Sequence, residues 1–147
     1  MESGSRNRLI FGKANKAIEA VDRTCIGQTG LNVTDFMILE ALLHKGSLPI
    51  NKIGEKVLLT SGSMTTAANR LVKRGLIERI QDPVDGRRFY LHLTKTGLKL
   101  IRSAYRNHSE TLTELFSCLD EQERENFVRL LKKIGYHAQQ QMVNTRQ

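Results

Sequence analysis

The sequence holds no apolar run near the roughly 18 residues that a bilayer-spanning helix requires. Its start, MESGSRNR, lacks the apolar stretch of a secretory signal. The expectation is therefore a cytoplasmic protein with no membrane partner. Cysteine is scarce: Cys25 and Cys118 fit no metal-ligand spacing, and in a reducing compartment they need not pair. His44, His92, His108 and His137 stand singly along the chain, so a metal site is not expected. There is no G-x-S-x-G elbow, phosphate-binding loop or dinucleotide fingerprint, which argues against an enzyme and against a bound cofactor. Internal repeats, low-complexity tracts and proline-rich linkers are also missing.

What is present is positive charge. The 147 residues carry a formal net charge of +8 and a pI near 9.8, which favours polyanionic partners. The charge is concentrated: between Lys45 and Lys95 ten basic residues face four acidic ones, so most of the net charge sits in about a third of the chain. With 39% hydrophobic residues, the length suits one compact domain whose core needs no disulfides.

Apolar residues Ile10, Ala14, Ala17, Ile18, Val21 and Cys25 recur at three- and four-residue steps after a small polar start at 1–5 that is expected to fray. They predict a long amphipathic helix from Arg6 to Gly27. Thr34 is the expected N-cap of a second helix, reaching His44 and closed by Gly46. Ser47–Ile50 can form only an edge strand, where a proline costs no ladder bond. A short helix from Asn51 to Val57, the turn Leu58-Leu59-Thr60, and a helix from Ser61 to Arg74 stopped by Gly75 then make a helix-turn-helix. Met64, Ala68 and Leu71 share the buried face of its second helix. Leu76–Ile80 and Arg88–Leu93 alternate as strands, with Phe89, Leu91 and Leu93 inward, around the turn-rich Asp82-Pro83-Val84-Asp85-Gly86-Arg87. Thr94 can cap a helix running to Phe116, and Asp120 with Glu123 has capping-box spacing for a last helix. Most glycines, Gly97 among them, read as helix stops or turns. Gly54 falls inside a helix, and close packing against the next helix would explain it.

A helix with a hydroxyl-rich start and a basic end, followed by a charged hairpin, fits a DNA major groove and its neighbouring minor groove. Ser61, Gly62 and Ser63 lie where free N–H groups and the helix dipole attract a phosphate. Thr65 and Thr66 can offer a methyl or hydroxyl to bases, Asn69 can take adenine, and Arg70 can fork onto guanine, while Lys73 and Arg74 suit phosphates. On the hairpin, Arg87 at the tip is the better candidate for a narrowed minor groove. Arg88 can reach DNA too, or pair with Asp82 or Asp85 to hold the loop, and Gly86 permits its tight turn. For each residue taken alone, a solvated surface explains the chemistry as well; the order helix, turn, helix, basic wing is what favours DNA. The alternative is a winged module that uses its basic face for RNA or protein.

The run LTSGSMTTAANRLVKRGLIERIQDPVDGRRFYLHLTKTG resembles the MarR family of winged-helix transcriptional regulators. The elements that carry the likeness are Leu71 to Ile77, Asp82 to Arg87, and Leu93-Thr94-Lys95-Thr96-Gly97. The resemblance implies a mainly α (α+β) fold over 1–147, with a winged helix-turn-helix core at 34–94 and dimerisation helices at 6–28 and 95–141. It also implies a homodimer that represses from a palindromic operator and is released by a small-molecule effector or an oxidant. Independently, the apolar stripes of the first and last helices exceed what a winged module of about 60 residues can cover, which points to association. Cys25 lies on such a stripe; a buried structural thiol and a redox sensor are both readings of it. Phe11, Phe36, His44 and Tyr105 are conceivable linings of an effector pocket, and core packing accounts for them equally well.

Overall fold

The computed structural model describes residues 3–57 and 59–144. Nine elements of regular structure follow in order among them: α1 (Gly4–Gly27), α2 (Val33–Lys45), β1 (Leu48–Pro49), α3 (Ile50–Lys56), α4 (Ser61–Lys73), β2 (Ile77–Gln81), β3 (Phe89–Leu93), α5 (Lys95–Leu115) and α6 (Glu121–Asn144). A single 3-10 turn at Phe116–Cys118 precedes α6. The chain forms two compact units, residues 1–109 and 110–147.

In the first unit, α2, α3, α4 and the sheet close around one core. It comprises Phe36, Ile38, Leu39 and Leu42 of α2, Ile53 of α3, Met64, Ala67, Ala68 and Leu71 of α4, and Leu91 of β3, joined by Ile26, Ile101 and Ala104. The strands run antiparallel in the order β1-β3-β2, with Leu48 opposite Leu91 and Ile77 opposite Leu93. β1 is the short edge that its proline requires. Leu91 faces the core, but Phe89, expected inward, is 41% exposed because the outer end of the hairpin extends past the core.

Capping chemistry sets the boundaries. The side chain of Asn32, not Thr34, caps α2 by accepting the N–H of its third residue, Asp35, at 2.8 Å, so that helix begins earlier than expected. Gly4 and Ser5 are already helical, whereas Met1 and Glu2 of the supposedly frayed start lie outside the described residues, as does Leu58 of the expected turn. α4 ends in a Schellman motif: Leu76 N–H reaches Leu71 C=O at 3.0 Å and Gly75 N–H reaches Val72 C=O at 2.9 Å, with Gly75 at φ 67°.

Thr94 then fastens α5 to that helix end. Its N–H donates to Leu76 C=O at 3.1 Å, its hydroxyl donates to Gly75 C=O at 2.7 Å, and the same oxygen accepts Gly97 N–H at 3.0 Å. Gly97 is therefore no helix stop. It lies inside the first turn of α5, where a Cβ would fall 1.9 Å from the Leu76 carbonyl oxygen.

In the second unit, Asp120 and Glu123 complete the expected capping box. Asp120 N–H donates to the Glu123 carboxylate at 2.9 Å and Glu123 N–H to that of Asp120 at 2.8 Å. Phe127 of α6 meets Phe116 with ring centroids 5.9 Å apart.

Candidate DNA-reading surface

α3 and α4 form the helix-turn-helix. Gly54 of α3 faces Met64 of α4, where an added Cβ would lie 3.5 Å from Met64 Cγ, an ordinary van der Waals contact, so the packing of the two helices does not by itself require the glycine. With Met64, Ala67, Ala68 and Leu71 inward, the helix exposes Ser61, Gly62, Ser63, Thr65, Thr66, Asn69 and Lys73.

Local hydrogen bonds decide what these residues can offer. Thr60 is the N-cap: its hydroxyl oxygen accepts Ser63 N–H at 3.3 Å and its hydroxyl donates to Ser63 Oγ at 3.0 Å. Its carbonyl accepts Met64 N–H at 2.9 Å. The N–H groups of Ser61 and Gly62 thus precede the first intrahelical bond, which is the geometry that binds a phosphate oxygen. Thr65 donates to Ser61 C=O at 3.0 Å and Thr66 to Gly62 C=O at 3.1 Å. Their hydroxyl protons are committed to the backbone, so toward a base they present methyl groups and acceptor lone pairs.

Arg70 departs from expectation. Its guanidinium folds back onto Asp35 of α2, with Nε 3.0 and 3.2 Å from the two carboxylate oxygens and Nη2 on Oδ1. The fork that would clasp guanine is occupied by a carboxylate of the same shape. Hydrogen bonding to Asp35 raises the Arg70 pKa above its ordinary value, with burial opposing and the charge of Asp35 assisting, so the side chain stays cationic. Arg74, also assigned to phosphate from its sequence position, approaches the same carboxylate at 3.8 Å.

The wing is shaped by its acids. Asp82 Oδ1 accepts Val84 N–H at 2.8 Å and Asp85 N–H at 3.3 Å, and Asp85 Oδ1 accepts Arg87 N–H at 3.1 Å. Asp82 N–H and Arg88 C=O close the hairpin at 2.9 Å. Arg88 Nε lies 3.3 Å from Asp85 Oδ2, taking the loop-holding option left open for it. Arg87 is exposed, and beyond the bond from its backbone N–H to Asp85 no ion pair or hydrogen bond engages its guanidinium among the described residues. Gly86 does not use a left-handed φ; its carbonyl accepts the Gln81 side-chain amide at 2.7 Å, and an added Cβ would come within 3.0 Å of that nitrogen.

Sequence reasoning missed Asp35, Thr60 and Gln81. Asp35 had a partial signal: it stands four and seven residues before Leu39 and Leu42, on the face that packs inward, where a carboxylate needs a partner. Gln81, at a strand end, had none.

The residues set aside earlier also have places. Cys25 is half-buried on α1 and Cys118 is exposed; neither forms a disulfide. His108 joins Asp22 at 2.9 Å and stacks edge-on against Phe36, and His44 stacks against Tyr105. Phe36 is core, while Phe11 is 57% exposed. Among the described residues no three His, Cys, Asp or Glu converge to hold a metal, and no helix is long and apolar enough to cross a membrane.

A groove-sized helix with a free N-terminal turn, backed by a second helix and flanked by an arginine-tipped wing, defines a winged helix-turn-helix DNA-binding protein. The MarR family model matches residues 31–89. The HTH-type transcriptional regulator MhqR of Bacillus subtilis (strain 168) is 34% identical over 132 residues, covering 90% of this chain and 91% of that protein. The crystal structure of a probable transcriptional regulator from Pseudomonas aeruginosa superimposes with a TM-score of 0.75 at 30% identity, covering 86% of this chain and 94% of that one. A cysteine-to-serine mutant of MarR from E. coli, complexed with operator DNA, shares the fold with a TM-score of 0.77 at 22% identity, over 87% of this chain and 91% of that one. The chain belongs to the MarR family: it is a DNA-binding transcriptional regulator and not an enzyme.

Proposed function

We propose that this regulator is a homodimeric repressor that grips a pseudo-palindromic operator, with α4 of each protomer in a major groove and each wing in the adjoining minor groove. The observation that carries the dimer is the uncovered apolar surface of the terminal helices. Leu9, Ile10 and Phe11 of α1 are 53–57% exposed, and Phe127, Val128, Leu130, Leu131, Ile134, Tyr136, Met142 and Val143 of α6 are 37–67% exposed. None of the described residues of α6 is buried. A second copy is the natural cover for such faces in a family of regulators, and two-fold symmetry sets two recognition helices about 34 Å apart, one turn of DNA.

Within each half-site, Ser61, Gly62 and Ser63 anchor a phosphate, Thr65, Thr66 and Asn69 meet base edges, Lys73 neutralises backbone charge, and Arg87 enters the minor groove. Arg70 and Arg74 serve this surface from behind, and Asp82, Asp85, Gly86 and Arg88 hold the wing in shape. The E. coli MarR mutant that shares this fold is complexed with operator DNA, which supports an operator as the partner. Release follows when a small molecule or an oxidant favours a dimer geometry in which both α4 helices cannot dock together. Sedimentation at micromolar protein tests the dimer: a folded monomer there contradicts the proposal.

A further inference from the structure

We infer that Asp35 is the specificity-setting residue of the reading helix: it withholds the charge of Arg70 from the phosphates and fixes the rotation of α4 about its own axis. The inference rests on α4 being the element that reads DNA. Asp35 is 1% exposed, a charged side chain buried beside the core of the described residues. It stands in the first turn of α2, where its backbone N–H donates to the Asn32 side chain at 2.8 Å, so the backbone that carries the carboxylate is itself anchored. Both of its oxygens are used. Oδ1 takes Nε and Nη2 of Arg70, and Oδ2 takes Nε of Arg70 with Arg74 Nη1 at 3.8 Å.

A fork held at two points on a buried anchor resists twisting in a way that a single contact would not. Arg70 follows Asn69 directly, so turning Arg70 toward α2 determines where Asn69 points, and Thr66, one turn earlier, moves with it. The side chain of Arg70 is still 39% exposed, close enough to the surface to swing out if its anchor loses its charge. Released guanidinium groups would bind any phosphate and strengthen binding to every sequence alike, while a loosened helix would read bases less well. Asp35 therefore exchanges affinity for discrimination without touching DNA.

The test uses the full-length protein, a duplex selected by it from a randomised pool, and a shuffled duplex of the same length. Affinities are read by fluorescence anisotropy from about 50 to 200 mM salt. Asp35→Asn is expected to bind the shuffled duplex more tightly, with a salt slope steeper by about 1 for each arginine released. Its preference for the selected duplex should fall roughly tenfold, the scale of one lost base contact. In Asp35→Asn/Arg70→Gln the slope should fall by about 1 from that of Asp35→Asn, the share that Arg70 contributes. A merely structural Asp35 would weaken binding to both duplexes in parallel, and that outcome, or an unchanged slope and preference, overturns the inference. If Asp35→Asn does not fold, Arg70→Lys keeps an ion pair and loses the fork. A reduced preference at unchanged melting temperature then supports the inference, and an unchanged preference overturns it. Selection that yields no consensus for the wild type overturns the reading of α4, and this inference with it.

Discussion

Gly97→Ala changes one hydrogen to a methyl, in a helix, where alanine is ordinarily preferred by about 1 kcal/mol. Here the methyl would stand 1.9 Å from the Leu76 carbonyl oxygen and 2.8 Å from its carbon, and both are backbone atoms. Ordinary carbon–oxygen contact needs more than an ångström of further separation, so the start of α5 must lift from the end of α4. That separation acts on the Thr94 N–H to Leu76 bond of 3.1 Å and the Thr94 hydroxyl to Gly75 bond of 2.7 Å, each worth about 1 kcal/mol. It also loosens Leu76, which is 4% exposed. Overpacking of this kind costs about 1–3 kcal/mol. Set against the helix preference, the expected net loss is about 2–4 kcal/mol. Urea unfolding followed by circular dichroism measures it. Gly62→Ala is the internal control, because Gly62 also lies in the first turn of a helix and an added Cβ there meets nothing within 4 Å. That variant should be unchanged or up to about 1 kcal/mol more stable. A Gly97→Ala protein as stable as wild type would refute the reasoning.

Arg87→Ala is expected to weaken selected and shuffled duplexes alike and to lower the salt slope by about 1, whereas Asn69→Ala should relax preference at a single base position by about 1–3 kcal/mol; anisotropy on a panel of duplexes separates the two. Thr60→Ala removes the N-cap of α4 and should destabilise the protein by about 0.5–2 kcal/mol in urea melts, with no change expected if the cap contributes nothing. Cys25→Ser tests oxidant sensing: DNA release by peroxide or quinone that persists in the variant removes Cys25 as the sensor.

Much of the fold was legible because it depends on local chemistry. Asp120 and Glu123 cap each other as their spacing requires, Thr94 caps α5, and Gly46 and Gly75 close α2 and α4 with φ values of 73° and 67°. Errors arose where two local solutions compete, as when Asn32 rather than Thr34 caps α2, or where tertiary reach decides, as with Phe89 beyond the core. The outward positions of α4 were legible, and so was the pairing of Arg88 with Asp85, although Arg88, expected to begin a strand, lies in the loop before β3 starts at Phe89. What could not be read was the partner of Arg70. Asp35 lies 35 residues earlier, and only the packing of α2 against α4 brings the two together. The same holds for Gly97, whose need for a bare backbone comes from Leu76, in another element of the fold.

The central claim, a two-fold dimer reading two half-sites with α4 and the wing, is tested most directly by hydroxyl-radical footprinting on a duplex selected by the protein. The account predicts two equivalent protected regions related by a dyad, with centres about one helical turn apart. Protection that Arg87→Ala weakens in both halves equally agrees with it. A single protected half-site, or uniform protection that follows no sequence, would contradict it.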